Sequence, residues 1–205
     1  MIKLYYSPNS CAMSEHIVLE WIGKDYEAEQ VQIGSEEFRK IAPKWAVPVM
    51  QDNKGEVMTQ NSALMSYILQ KHPESGLGSD GTIEGEYKLN SLMSFIESDL
   101  HPAFIPTFNP GGFTTQTDEV SLSAAKEAAF LRIDRQMTYL DEHLSTNTYM
   151  LWDKKSIVDA SAFVVSRWAN YIPKNVEQYP NISRFHKLMM EDTSVAKIVA
   201  LHNPA

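Results

Sequence analysis

Apolar positions follow two regimes along the chain. Ile2-Lys3-Leu4-Tyr5-Tyr6 is a short aliphatic and aromatic run of the kind that forms a buried strand. Pro8 and Asn9 mark a turn, after which Met13, Ile17, Trp21 and Ile22 recur near helical spacing up to Gly23. The pattern then predicts a strand over 26–32 and a short helix with Ser35 as its N-cap. A strand over 45–51 with Pro48 at its entrance, a hairpin turn over 52–55 and a strand over 56–59 follow. Ala63, Leu64, Tyr67, Ile68 and Leu69 then line one side of a helix ending near Lys71. This order describes a small α/β layer over residues 1–75.

The texture changes after His72. Residues 76–85 continue a stretch of Gly, Pro, Ser and acid that reads as a linker. Over 86–205 no strand is predicted and helical periodicity dominates: Leu89, Leu92, Met93, Ile96 and Leu100, then Phe130, Ile133, Met137, Leu140 and Leu144. A markedly apolar segment runs over 157–168. The expected architecture is α/β followed by all-α.

Composition narrows the function classes. Eighteen Lys and Arg against 26 Asp and Glu leave a net charge of −8, which argues against nucleic acid or an anionic membrane as the main partner. No segment approaches membrane-span length, and the first apolar run is too short for a secretory signal, so a cytoplasmic location is expected. The single cysteine excludes an internal disulfide and fits a reducing compartment. The six histidines are scattered without metal-ligand spacing, so no metal site is expected.

That cysteine, Cys11, is the first candidate for chemistry. It falls at the entrance of the first helix, where unpaired N–H groups and the helix dipole favour an anion and lower a thiol pKa from about 8.5. The bland alternative is a small buried hydrophobe. Ser10 beside it and Tyr6 at the end of the first strand rank second and third. Without a second sulfur, a dithiol cycle is impossible, whereas mixed-disulfide exchange with an external thiol remains open.

A strand–turn–helix with Cys11 at the helix start, followed by a strand opening on Val47-Pro48, resembles the thioredoxin-like fold, whose proline is typically cis. The whole chain further resembles the cytosolic glutathione transferases, most nearly the bacterial beta class. The opening through Cys11 with His16-Ile17-Val18-Leu19, the Val47-Pro48 pair, the turn Gln60-Asn61-Ser62-Ala63-Leu64 and the box Ser156-Ile157-Val158-Asp159 carry the likeness. The resemblance implies a glutathione-binding first domain and a helical second domain that roofs an electrophile pocket drawn from Phe104, Ile105, Phe108 and Trp168. It also implies a homodimer and a role in detoxification, with glutathione as co-substrate. The backbone of Val47, beside Pro48, would pair with the cysteinyl part of glutathione. Gln60 would accept from the γ-glutamyl ammonium, and Asn61 would donate to its carboxylate at a helix N-terminus.

His101 matches a family histidine that reaches the glutathione sulfur; the alternative is a histidine stabilised at a helix C-terminus. Ser156 and Asp159 are structural, a capping box worth roughly 1–2 kcal/mol, with Lys155 weakening the usual hydrophobic staple. His16 is structural or at the surface. Two rival readings share the fold: a non-catalytic protein that docks on a protein partner, as the stringent-starvation proteins do, and a glutathione-dependent isomerase or dehalogenase.

Overall fold

In the computed structural model, which describes residues 1–42 and 44–203, the first strand runs as the sequence pattern predicts. Strand β1 (Ile2–Tyr6) buries Leu4, Tyr5 and Tyr6. Helix α1 (Met13–Ile22) follows and ends on Gly23 at φ 68°, a left-handed C-cap that glycine adopts without steric cost. Strand β2 (Tyr26–Gln30) and helix α2 (Glu36–Ile41) come next, the latter capped by the Ser35 hydroxyl, which accepts from Phe38 N at 3.2 Å. Strands β3 (Val49–Gln51) and β4 (Val57–Thr59) form the hairpin, and α3 (Asn61–Lys71) closes the layer.

The four strands lie in the order β2-β1-β3-β4, with β1 parallel to β2 and the other pairs antiparallel. Leu4 stands opposite Ala28 on one side and Met50 on the other, and Met50 opposite Met58. This mixed sheet with helices is the thioredoxin-like arrangement.

Two expected strands are shorter than the hydrophobic pattern suggests. β2 stops at Gln30, and β3 begins only at Val49. Before β3, Trp45 turns through φ 53° and bonds its N–H back to Ala42 O, so the backbone there is a turn. Pro48 then brings no N–H to a ladder.

The described chain forms two compact units. The first comprises Met1–Gly81 together with the stretch from Leu188 onward; the second is Thr82–Lys187. The C-terminal helix, α9 (Thr193–His202), belongs to the first unit for identifiable reasons. Trp21 Nε1 donates to Asp192, Lys197 pairs with Glu20, and the His202 ring is buried against His16.

The second unit is helical: α4 (Ile83–Phe95), α5 (His101–Phe108), α6 (Glu119–Ser145), α7 (Ile157–Ser166) and the larger part of α8 (Pro180–Glu191). Every residue of α7 is buried, so this helix is the centre of the unit's core, with Met93, Ile96, Leu100, Phe104 and Ile133 among the core side chains. Between α4 and α5 the helix widens into a π turn over Ile96–Leu100. Pro102 lies in the first turn of α5, where a missing N–H is tolerated. The helical path therefore continues through this point.

No helix among the described residues is long and apolar enough to cross a membrane. Likewise, no three His, Cys, Asp or Glu side chains converge there in a way that could hold a metal ion.

Candidate active site

The turn between β1 and α1 is built by short-range hydrogen bonds. Ser7 O accepts from Ser10 N at 3.2 Å and from Ser10 Oγ at 2.6 Å. Cys11 O accepts from Ser14 N at 2.9 Å and from Ser14 Oγ at 2.7 Å. These bonds fix Cys11 just ahead of α1, 8% exposed, with its Sγ donating to Val47 O at 3.5 Å. The peptide bond from Val47 to Pro48 is cis.

The structure thus brings Cys11, Val47 and Pro48 together. Ser10 lies beside them, but its hydroxyl is held by the Ser7 carbonyl. Tyr6 belongs to the interior: its ring packs on His202 at 4.5 Å and on His16 at 5.2 Å between centroids. His16 is buried and structural, so the surface option for it falls away.

A second wall of the site is the entrance of α3. Gln60, exposed, sits at φ 77°, a left-handed conformation that a non-glycine residue adopts only under constraint. Asn61 opens the helix and is only 6% exposed. Its Nδ2 donates to Ser14 Oγ at 2.8 Å, while its Oδ1 is buried without a hydrogen-bond partner. Asn61 was expected to turn its donor toward a carboxylate; in the structure that amide nitrogen bonds Ser14.

Sequence reasoning missed Ser14. The signal was its place three residues after Cys11, on the same face of the first helical turn.

In the second unit, His101 opens α5 and is half-buried. Its Nδ1 lies 3.7 Å from Glu97 Oε2, and its ring packs against Trp168 with centroids 5.0 Å apart. Phe104 and Phe108 meet the same indole edge-on at 5.8 and 5.5 Å. Phe108 and Ile105 are exposed, so this cluster presents apolar surface. Because the helical path continues through the π turn, His101 does not stand at a helix C-terminus, and stabilisation by a helix dipole does not account for it.

Ser156 and Asp159 form their capping box at the start of α7, fully buried. Asp159 does more than cap. One carboxylate oxygen accepts from Ser156 N (2.8 Å) and Ser156 Oγ (2.7 Å), and the other accepts from Met150 N at 2.7 Å. The carboxylate therefore pins the loop before α7 to the helix.

A cleft of about 230 Å³ in the first unit is lined by Ile2, Tyr26, Asp52, Tyr67, Lys71 and His72. It lies at the Ile2 end of β1, whereas Cys11 follows the Tyr6 end. Chemistry rather than cavity volume therefore defines the site.

A thioredoxin-like layer with a thiol ahead of its first helix and a helical second unit defines a fold class. Comparison with known proteins narrows it. Residues 2–76 match the glutathione S-transferase N-terminal domain and residues 92–192 the glutathione S-transferase C-terminal domain. A glutathione S-transferase of Xanthomonas campestris is 29% identical over 197 residues, covering 95% of each chain. The beta-class enzyme of Sphingomonas chungbukensis is 28% identical with a TM-score of 0.87, covering 99% of this chain and 100% of that one. A sphingomonad glutathione S-transferase complexed with glutathione shows 28% identity and a TM-score of 0.86, with the same coverage. The chain belongs to the glutathione transferase family.

Proposed function

We propose that the protein is a glutathione transferase that binds glutathione along its first unit and activates the thiol for attack on an electrophilic small molecule. The observation that carries this reading is the Cys11 turn, held against the Val47 carbonyl and tied through Ser14 to the entrance of α3. Val47 offers its backbone to the cysteinyl part of the ligand. The first N–H groups of α3 favour the γ-glutamyl carboxylate, and Gln60 is exposed beside them.

With the peptide fixed at both places, its sulfur lies next to the α1 entrance, where the helix N-terminus favours the thiolate. The thiol proton leaves to solvent, and the thiolate's electron pair forms the carbon–sulfur bond as the electrophile's leaving group departs with its own bonding pair. Positioning and sulfur activation supply most of the rate. His101, with its Trp168, Phe104 and Phe108 neighbours, is the second unit's contribution. The protein acts as a cytoplasmic homodimer, and its role is detoxification.

Cys11 adds thiol–disulfide exchange. Its thiolate attacks one sulfur of glutathione disulfide, forms the mixed disulfide and releases the other half as glutathione. Titration calorimetry is expected to show saturable binding of reduced glutathione. Intact-protein mass spectrometry after incubation with glutathione disulfide should give a single glutathione adduct that Cys11→Ser abolishes. An adduct that survives Cys11→Ser would remove Cys11 from this role, and absence of glutathione binding would remove the function itself.

A further inference from the structure

Glu97 and His101 face each other across the π turn that joins α4 to α5. The turn runs over Ile96–Leu100 and closes on a bond from His101 N to Ile96 O. Residues four apart share a helical face, so the carboxylate and the ring meet: Glu97 Oε2 stands 3.7 Å from His101 Nδ1, within ion-pair reach. Wide turns of this kind recur at functional positions. The His101 ring also packs on Trp168, with centroids 5.0 Å apart and planes inclined at 57°, which limits its rotation.

The Glu97 carboxylate has no structural task that explains it. Its side chain is only 19% exposed, and among the described residues Oε1 is buried without a hydrogen-bond partner. A buried acceptor left unpaired is destabilising, and such a group calls for a reason other than stability. The neighbouring charges are engaged elsewhere. Asp99 lines the groove between α4 and α6 with Tyr87 and Tyr139, the Arg167 guanidinium lies over the Phe163 ring, and Asp159 is held in the capping box. Glu97 is therefore the charge that faces His101. A carboxylate beside Nδ1 favours the tautomer with its proton on Nδ1 and leaves the lone pair on Nε2. The same carboxylate offsets the positive charge that forms when Nε2 takes up a second proton.

We propose that Glu97 is a positioning residue for His101, keeping the proton on Nδ1 so that Nε2 takes the proton of the glutathione thiol. The S–H bond breaks with its electron pair left on sulfur, an N–H bond forms at Nε2, and the imidazolium hands the proton on to solvent. The inference rests on the glutathione reading, in which His101 is the second unit's contribution. Glu97 touches no reacting atom and acts through His101.

The test follows the ultraviolet thiolate absorbance of glutathione bound to the full chain as pH is varied, with the protein alone as reference. Glu97→Gln keeps the size of the side chain and removes its charge. Acting through His101, it should raise the pH midpoint of thiolate formation by about one unit, a tenfold loss. A bare negative charge near the sulfur would have the opposite sign, because its removal favours the thiolate. A midpoint that is lowered or unchanged overturns the proposal. In His101→Phe, adding Glu97→Gln should move the midpoint no further, and a second rise of the same size overturns the proposal as well.

Nitrogen NMR of the ligand-free, histidine-labelled protein at mildly alkaline pH reads the tautomer directly, with the His101 signals identified by their loss in His101→Phe. Nδ1 should carry the proton and Nε2 should be bare. A proton on Nε2 overturns the proposal even if Glu97→Gln does not fold. Glutathione that binds with a midpoint indifferent to Glu97→Gln overturns the proposal alone, whereas protein that binds no glutathione overturns the glutathione reading and the proposal with it.

Discussion

Asp159→Ala is expected to destabilise the protein by roughly 3–5 kcal/mol at neutral pH, the size of effect seen when a buried hydrogen-bond network is broken. The change removes no surface group and no ligand contact proposed above. It strands Met150 N, Ser156 N and the Ser156 hydroxyl, three donors that the carboxylate now satisfies in the interior. Each unpaired donor costs about 1–3 kcal/mol, and Ser156 also loses its partner in the cap of α7. Every side chain of that helix is buried, so fraying at its start exposes core rather than solvent-facing surface. For a chain of this size the thermal midpoint should fall on the order of 10 °C. Scanning calorimetry of the variant checks this, and a midpoint within experimental scatter of the wild type would show that the carboxylate does not hold the loop.

The capping box is legible in the sequence because its rule is local: a serine, two residues, an acid, then an apolar helix. The third bond, from Met150, is not, since it spans nine residues and a loop with no periodicity. The same division runs through the fold. β1, the Gly23 stop and the Ser35 cap follow from alternation, glycine's freedom at positive φ and hydroxyl capping, all of which act within a few residues.

The start of β3 is harder to read. Trp45 has high strand propensity, yet it adopts φ 53° while Arg39 stacks 4.2 Å from the centre of its ring. Tertiary context overrode propensity there. The destination of α9 is also illegible: its helical periodicity shows that it is a helix, and only His202, Lys197 and the preceding Asp192, meeting partners near residue 20, fix where it packs.

At the site, Cys11 is recognisable as a thiol at a helix entrance, whereas Val47 and Pro48 are legible only through the resemblance to the thioredoxin-like fold. The orientation of Asn61 is a different matter. Asparagine offers a donor and an acceptor from one planar group, and composition says nothing of which faces the ligand side. Ser14, 47 positions earlier, decides it. That hydrogen bond lies beyond motif reading, because neither partner carries the information alone.

Stability is expected to fall in mild acid, and buried histidines are the cause. His16 and His202 are both buried, with Nδ1 of the first 3.0 Å from Nε2 of the second, a contact that one proton bridges and two would disrupt. Burial, reinforced by the Lys197 charge and opposed by Glu20, pushes the pKa of His16 down to about 4 from 6.5. Burial, aided by the Arg167 charge, pushes that of His186 down to about 3; its Nε2 meets the Ser166 hydroxyl at 2.7 Å. A depressed folded pKa means that the unfolded chain takes up the proton first as pH falls. The stability these rings contribute is complete above pH 6.5 and is lost between there and the folded values.

Each tenfold difference in proton affinity is worth about 1.4 kcal/mol, so the losses are roughly 3 kcal/mol for His16 and 5 kcal/mol for His186. Asp159 works in the opposite sense. Burial raises its pKa to about 6 from 3.8, so the folded protein takes up that proton first and regains roughly 3 kcal/mol as pH falls through this range. The two histidines outweigh one carboxyl, and the balance is a net loss. Urea midpoints measured from about pH 7 to about pH 4 should decline, and less steeply in His16→Gln, which keeps a polar group without the titration. A midpoint that is flat or rises toward acid would mean that the carboxyl prevails over the histidines.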